Sequence, residues 1–261
     1  MEARHALVRR PSSRLAEGLV THIERSDDVD VALARRQWDG YVSALHGAGW
    51  TTHEVPPADD CPDSVFVEDT MVVYDDLAVI SRPGAPARRP ETAAAEEAVR
   101  AQGYRVARIE QPGTLDGGDV LKHGGTVWVG QGGRTNAAGT AQLRSHLEPL
   151  GTEVVAVPLT KVLHLKSAVT ALPDGTVVGY EPLVDDPGVW GDRFLGVPEE
   201  AGSHVVLLGD DTVLMSTSAP RTAELFEQRG HRVVAVDISE YEKLEGCVTC
   251  LSVRLRGRPD R

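Results

Sequence analysis

A thiol, histidines and several carboxylates recur at matching places in a repeating pattern. Asp63, Glu68 and Asp69 precede one short apolar run, Asp116 and Asp119 the next, then His164 and Lys166, then His204, and last Cys250. A cysteine attacks as thiolate, a neighbouring imidazolium supports it, and the same group can protonate a leaving atom. A carboxylate can orient the imidazole. The remaining carboxylates suit a cationic group on the substrate, held by charge-assisted hydrogen bonds. Arg88 and Arg134 lie in equivalent loops and have the fork geometry that grips a carboxylate bidentately. The set fits nucleophilic catalysis on a molecule with a cation at one end and a carboxylate at the other, an amino acid of the arginine type. Each residue alone has a plainer reading. Cys250 would be a small core residue, His164 between two leucines a hydrogen-bonded core histidine, Asp116-Gly117-Gly118-Asp119 turn chemistry, and the arginines a solvated surface. Their joint placement in the repeat favours the catalytic reading. Cys61 and Cys247 are rival thiols, but the repeat places neither at a strand start.

The elements that must position these residues are short and repeated. Over residues 61–88 the order is a polar cluster, two apolar runs (71–74 and 77–80) joined by Asp75-Asp76, and a Pro/Gly-rich loop reaching Arg88 and Arg89. A helix over 91–101 and a strand over 104–109 complete the unit. The next unit has a hairpin turning at Gly124-Gly125, the loop 132–136, a helix with Leu143, Leu147 and Leu150 on one face, and a strand over 153–157. A third unit turns at Pro173-Asp174-Gly175 and shows no long amphipathic helix. A fourth pairs 205–208 with 213–215, followed by a helix over 222–229 and a strand over 231–237. Gly49, Gly103, Gly151 and Gly230 each follow a helix-like segment and precede a strand, as expected of left-handed C-terminal caps. A final strand over 250–255 has no hairpin partner left. Only the N-terminal strand (5–9) and the helix over 29–46 remain to complete its unit. Closure into a ring is therefore expected, which also removes exposed strand edges. An ordinary mixed α/β sandwich is the alternative.

Composition narrows the class. The chain has 261 residues and 41% hydrophobic content, enough for a real core. A net charge of −12, from 27 basic and 39 acidic residues, argues against nucleic acid and is compatible with a cationic small ligand, or serves solubility alone. Three cysteines, an odd number with no metal-ligand spacing repeated and no disulfide framework, point to a reducing compartment. No apolar run approaches the roughly 20 residues of a membrane span, and the N-terminus lacks a signal-peptide core. A soluble cytoplasmic protein is expected.

Six motifs, P-D-S-V-F-V-E-D at 62–69, R-P-G-A-P-A-R-R at 82–89, L-D-G-G-D at 115–119, G-R-T-N at 133–136, L-H-L-K at 163–166 and T-C-L-S-V at 249–253, together resemble dimethylarginine dimethylaminohydrolase, in collinear order over nearly the whole chain. The resemblance implies membership of the guanidino-group-modifying enzymes. Their fold is a five-bladed α/β propeller of ββαβ modules with pseudo-fivefold symmetry, here one catalytic domain over 1–261, closed by pairing of the N- and C-terminal segments. It further implies that Cys250 is the nucleophile, His164 the general acid/base and Asp116 its orienting carboxylate. Asp63, Glu68 and Asp69 would form the acidic cluster around the guanidinium and amino groups. Arg88 and Arg134 would bind the substrate carboxylate, Leu19 would be the mobile lid residue, and Leu244 would contact substrate through its backbone. Cys247 stands where several relatives have Gly or Leu. The implied reaction is hydrolysis of Nω-methylated arginine to citrulline through a covalent thiouronium-type intermediate, without metal or organic cofactor. A homodimer is compatible with it. Arginine deiminases are generally longer, with an added helical domain for which 261 residues leave little room. A non-catalytic arginine-binding protein would be expected to lack Cys250 or His164.

Overall fold

The computed structural model describes residues 4–25 and 28–255. Its unit is visible in the second module. Met71–Tyr74 and Leu77–Ile80 pair antiparallel, Met71 opposite Ile80. The tight turn between them is closed by Asp75 at φ 50, in the left-handed region that Asp tolerates better than most residues. The helix Thr92–Ala101 then carries the chain back so that Arg105–Arg108 lies parallel to Leu77–Ile80. Parallel neighbours require such a crossover.

The same order of inner strand, middle strand, helix and outer strand recurs around the molecule. The third module uses Val120–His123, Thr126–Gln131, the helix Ala137–Leu147 and Glu153–Pro158. The fifth uses Val206–Gly209, Thr212–Ser216, the helix Pro220–Gln228 and Arg232–Val236. In the fourth, Val169–Ala171, Val177–Gly179 and Phe194–Gly196 form the sheet, and the 3-10 turns Glu181–Leu183, Pro187–Val189 and Gly191–Arg193 stand where the helix would be. The first module joins both ends of the chain: Val253–Leu255 is antiparallel to Arg4–Val8, with His5 opposite Leu255. The helix Val31–Gly47 and the parallel strand Trp50–Glu54 complete it. The result is five three-stranded sheets in a pseudo-fivefold α/β propeller.

Packing closes the ring. Among the described residues, five apolar clusters each bridge two neighbouring modules. Ala6 and Trp38 of the first pack with Val206 and Leu214 of the fifth. Leu7 and Val253 meet Val73 and Ile80 of the second. The inner strands of all five sheets line one axial channel, with Val72, Leu121, Thr170, Leu207 and Val253 among its walls. The glycines that end helix-like segments, Gly49, Gly103, Gly151 and Gly230, all have positive φ, between 80 and 91. Boundaries differ from the sequence expectation in one place that matters. The last strand begins at Val253, not Cys250, because residues 248–251 form a turn closed by the Cys250 N–H, which donates to the Cys247 carbonyl at 3.1 Å. Among the described residues no helix is long and apolar enough to cross a membrane.

Candidate active site

Turns at the starts of the inner strands converge on one cavity. Cys250, His164, Asp63 and Asp69 line it, as do Arg88, Arg134, Leu19 and Leu244. Each is set by a short local device. His164 is the extended residue before the single-turn helix Leu165–Ala168. Glu68 and Asp69 share the 3-10 turn Val67–Thr70, so their carboxylates diverge: Asp69 faces the cavity and Glu68 lines the axial channel. Asp116, fully buried, stands one residue before the turn Gly117–Asp119.

His164 is clamped between carboxylates. Its Nε2 lies 3.0 Å from Asp116 Oδ2 and its Nδ1 lies 3.8 Å from Asp69 Oδ1. Asp116 Oδ1 also accepts the Gly84 N–H at 2.9 Å. Burial works against a charged imidazole, but the Asp69 charge and the Asp116 hydrogen bond outweigh it and push the His164 pKa up to about 9. Burial likewise disfavours the Asp69 carboxylate, yet His164 and Arg88 hold it well below the usual carboxylate range. The ring fits this closely because position 118 is glycine. A Cβ there would lie 2.7 Å from His164 Nδ1 and 2.6 Å from Asp69 Oδ1. The Gly118 N–H donates to Asp69 Oδ1 at 2.9 Å. The D-G-G-D motif thus seats the histidine as well as making a turn. Asp119 does not reach the ring; it accepts Thr135 Oγ1–H at 2.6 Å and the Leu165 N–H at 3.0 Å.

The two arginines, expected as an equivalent pair, differ. Arg88 sits in the 3-10 turn Pro86–Glu91 and its guanidinium is largely occupied. Nε and NH2 donate to Glu91 at 3.1 and 2.8 Å, NH1 donates to Asp69 at 2.5 Å, and NH2 also reaches the Asp63 and Phe66 carbonyls. Five donors leave at most one N–H, on NH1, for a ligand. Among the described residues Arg134 makes only a 3.5 Å ion pair with Asp116 through NH1, which is buried without a hydrogen-bond partner. Its guanidinium, unlike that of Arg88, keeps donors unspent. A Cβ on Gly84 would fall 2.3 Å from the Arg134 carbonyl oxygen, so glycine lets the two basic loops touch.

Glu68 departs most from the expected acidic cluster. Its Oε1 accepts from Lys166 at 2.5 Å and Arg254 at 3.1 Å, away from the cavity lining. Asp63 accepts the Leu19 N–H at 3.0 and 3.2 Å, and burial raises its pKa. Of the two lining leucines, Leu19 is 37% exposed, whereas Leu244 is buried. His204 lies outside this lining, its Nε2 2.9 Å from the Ser167 carbonyl.

Two sulfurs meet at the site. Cys247 Sγ is 3.3 Å from Cys250 Sγ, and both residues are buried. Cys61 is also buried but lines none of this cavity. Cys247, set apart in the sequence because it starts no strand, is therefore in contact with the candidate nucleophile. Two further residues were not singled out. Glu91 holds Arg88, and its spacing of three from Arg88 at a helix start was the available signal. Glu245 accepts the N–H groups of Thr21, His22 and Ile23. No local signal ties it to a loop 222 positions away. Among the described residues, Asp69, Asp116 and His164 bring one ligand-type atom each within 4.8 Å. The ion pairs with Arg88 and the imidazolium account for that convergence.

A scan against protein-family models found no match. The chain is 66% identical over 256 residues to the N(G),N(G)-dimethylarginine dimethylaminohydrolase of Streptomyces coelicolor, covering 98% of each. Its fold matches that of a dimethylarginine dimethylaminohydrolase histidine-to-glycine variant, solved as an adduct with S-methyl-L-thiocitrulline, at a TM-score of 0.90 and 35% identity, covering 97% and 100% of the two chains. A cysteine-to-serine mutant of the Pseudomonas aeruginosa enzyme complexed with citrulline matches at a TM-score of 0.89 and 34% identity, covering 98% and 100%.

Proposed function

The chain belongs to the dimethylarginine dimethylaminohydrolase family, and on that premise we propose the following chemistry for it. It hydrolyses Nω,Nω-dimethyl-L-arginine, and the monomethyl form, to L-citrulline with release of dimethylamine or methylamine. The observation that carries this reading is one cavity in which a thiol and a histidine with a raised pKa face two carboxylates and an arginine with unspent donors.

The chemistry follows from those groups. Asp63 and Asp69 supply the negative charge that draws in a guanidinium and an ammonium, and Arg134 takes the carboxylate at the other end. The guanidinium is resonance-stabilised and a poor electrophile, so holding it in line over Cys250 is much of the catalysis. Cys250 adds to the guanidinium carbon as thiolate. The carbon–nitrogen bond then breaks as the amine departs with a proton from His164, which is charged at neutral pH. Water adds to the resulting thiouronium, neutral His164 takes its proton, and the carbon–sulfur bond breaks to release citrulline. Asp116 keeps the imidazole oriented through both steps. Leu19 covers the cavity and the Leu244 backbone contacts the bound molecule.

We extend the proposal to a cytoplasmic enzyme whose single catalytic domain spans residues 1–261 and acts on a small molecule. The three free thiols support a reducing compartment. Light scattering in solution would test a homodimer. The activity itself is tested by incubating the protein with dimethylarginine, monomethylarginine and arginine, assaying citrulline, and seeking a covalent adduct on Cys250 by mass spectrometry. Citrulline from the methylated substrates with a Cys250 adduct is expected. Arginine outrunning both methylated forms would move the protein to a deiminase, and no citrulline at all would leave a binding protein.

A further inference from the structure

We propose that Cys247 is a further catalytic residue, a thiolate base that takes the Cys250 proton when a cationic substrate enters. The inference rests on the reading above. It starts from the contact between the sulfurs: Cys247 Sγ lies 3.3 Å from Cys250 Sγ, with both residues buried. The turn fixes that contact. The Cys250 N–H donates to the Cys247 carbonyl at 3.1 Å, and the Cys250 carbonyl accepts the Glu68 N–H at 3.2 Å. Two thiols in contact do not titrate independently. The first proton leaves easily because the remaining S–H donates to the new anion, and the second is held tightly.

The surroundings decide where the single negative charge rests while the cavity is empty. Cys247 Sγ lies 3.3 Å from Thr249 Oγ1, whose O–H can donate to it, and the His204 imidazole also favours an anion there. Cys250 feels the charge of Asp69 across the cavity and that of Glu68, which acts on both sulfurs although it points to the axial channel and pairs with Lys166 and Arg254. Its own backbone support is one Cys247 N–H at 3.4 Å. His164, Arg88, Arg134 and Glu245 also line the cavity into which Cys250 opens. The hydrogen bond from Cys250, helped by Thr249 and His204, thus draws the Cys247 thiol down, and the same bond with the nearby carboxylates pushes Cys250 up. The empty site stores the thiolate on Cys247.

A guanidinium arriving between Cys250 and the carboxylates reverses that preference, because a cation now sits against the Cys250 sulfur. The proton crosses the 3.3 Å gap: the Cys250 S–H bond breaks, the Cys247 S–H bond forms, and the electron pair on Cys250 adds to the guanidinium carbon. When the carbon–sulfur bond later breaks, the proton returns. The pair thereby holds a ready anion without exposing a free nucleophile to small electrophiles, and leaves His164 its proton for the departing amine.

The test uses the full-length protein and the variants Cys247→Ala and Cys247→Ser. Thiolate absorbance and the rate of Cys250 alkylation by iodoacetamide are followed against pH without substrate, and kcat and KM against pH with dimethylarginine. The wild type should hold about one thiolate at neutral pH, with its first titration well below the ordinary thiol pKa of about 8.5. Both variants should lose that low titration. Their kcat at pH 7 should fall about tenfold or more with KM little changed, and recover toward wild type above about pH 9. Serine can donate a hydrogen bond but cannot hold the anion, so a wild-type pH profile in Cys247→Ser would overturn the base assignment. An unmoved thiolate titration in Cys247→Ala would overturn proton sharing altogether. The absorbance and alkylation arms need no substrate, so they decide proton sharing even if the protein proves not to hydrolyse methylarginine.

Discussion

Replacing Arg88 and Arg134 separately by alanine should give two different failures, although the two residues occupy equivalent loops. Arg88 is 4% exposed and pairs with Asp69 and Glu91, which are 2% exposed each. Removing its guanidinium strands two buried carboxylates, and breaking a buried pair from one side costs about 3–5 kcal/mol. Against a total stability of about 5–15 kcal/mol this is large. At about 2–4 °C per kcal/mol, the melting temperature should drop by roughly 6–20 °C. Arg134→Ala leaves Asp116 its hydrogen bonds from Gly84 and with His164, so melting should move by no more than about 4 °C. Its loss falls on substrate: an unpaired buried carboxylate costs about 2–5 kcal/mol, or roughly 30-fold to several thousand-fold in kcat/KM for dimethylarginine. Agmatine, which lacks the carboxylate, should be a poor substrate and almost indifferent to Arg134→Ala. Thermal melts read by circular dichroism, with kcat/KM for both compounds, separate the cases. An Arg88→Ala protein that melts with the wild type and loses only the carboxylate-bearing substrate would refute the division of labour.

Cys250→Ser should abolish turnover while Cys61→Ser retains most of it; steady-state citrulline assays on both would expose a wrong nucleophile if Cys250→Ser stayed active. A peroxide or small-molecule disulfide should oxidise Cys247 and Cys250 to a disulfide, since a turn already holds the sulfurs at 3.3 Å. Two thiols become one S–S bond as the oxidant accepts two electrons and two protons leave, activity is lost, and dithiothreitol restores it. Intact mass and thiol counting check this, and a sulfinic acid on Cys250 beside a free Cys247 would contradict it. The raised His164 pKa stabilises the fold below about pH 6.5, and that contribution, on the order of 3 kcal/mol, is lost as pH rises through about 9. Melting curves at pH 6 and pH 10 should therefore differ more for wild type than for His164→Asn, and equal differences would count against the clamp. Glu245→Gln weakens the carboxylate latch on residues 21–23 and should raise KM about tenfold, equivalent to about 1.4 kcal/mol, with a smaller effect on kcat. An unchanged KM would place the latch outside substrate binding.

The repeat is legible from local signals alone. Turn residues at Gly124-Gly125 and Pro173-Asp174-Gly175, glycines after helix-like segments and short apolar runs are local signals, because hairpins and helix caps are closed by residues a few positions apart. The lone strand at the C-terminus also implied ring closure, since an unpaired inner strand can be satisfied only by the unpaired N-terminal segment. The repeat positions name Asp63, Glu68, Asp69, Asp116, Asp119, His164, Lys166, His204 and Cys250 as a converging set; of these Asp63, Asp69, His164 and Cys250 line the cavity and Asp116 holds the His164 ring, while Glu68, Asp119, Lys166 and His204 turn elsewhere. What each does with its neighbours was decided only by tertiary structure. Glu68 and Asp69 are adjacent in sequence, but the turn Val67–Thr70 sends one carboxylate to Lys166 and Arg254 and the other to Arg88 and His164. Arg88 and Arg134 occupy equivalent loops, yet only Arg88 has Glu91 one helical turn away to spend its donors on. Cys247 starts no strand and reads as a bystander, until the turn over residues 247–250 brings its sulfur against the nucleophile. Spacing fixes which residues share a module. The partner each buried charge finds depends on side-chain directions and on segments far away in the chain, and burial leaves such a charge no alternative but to find one.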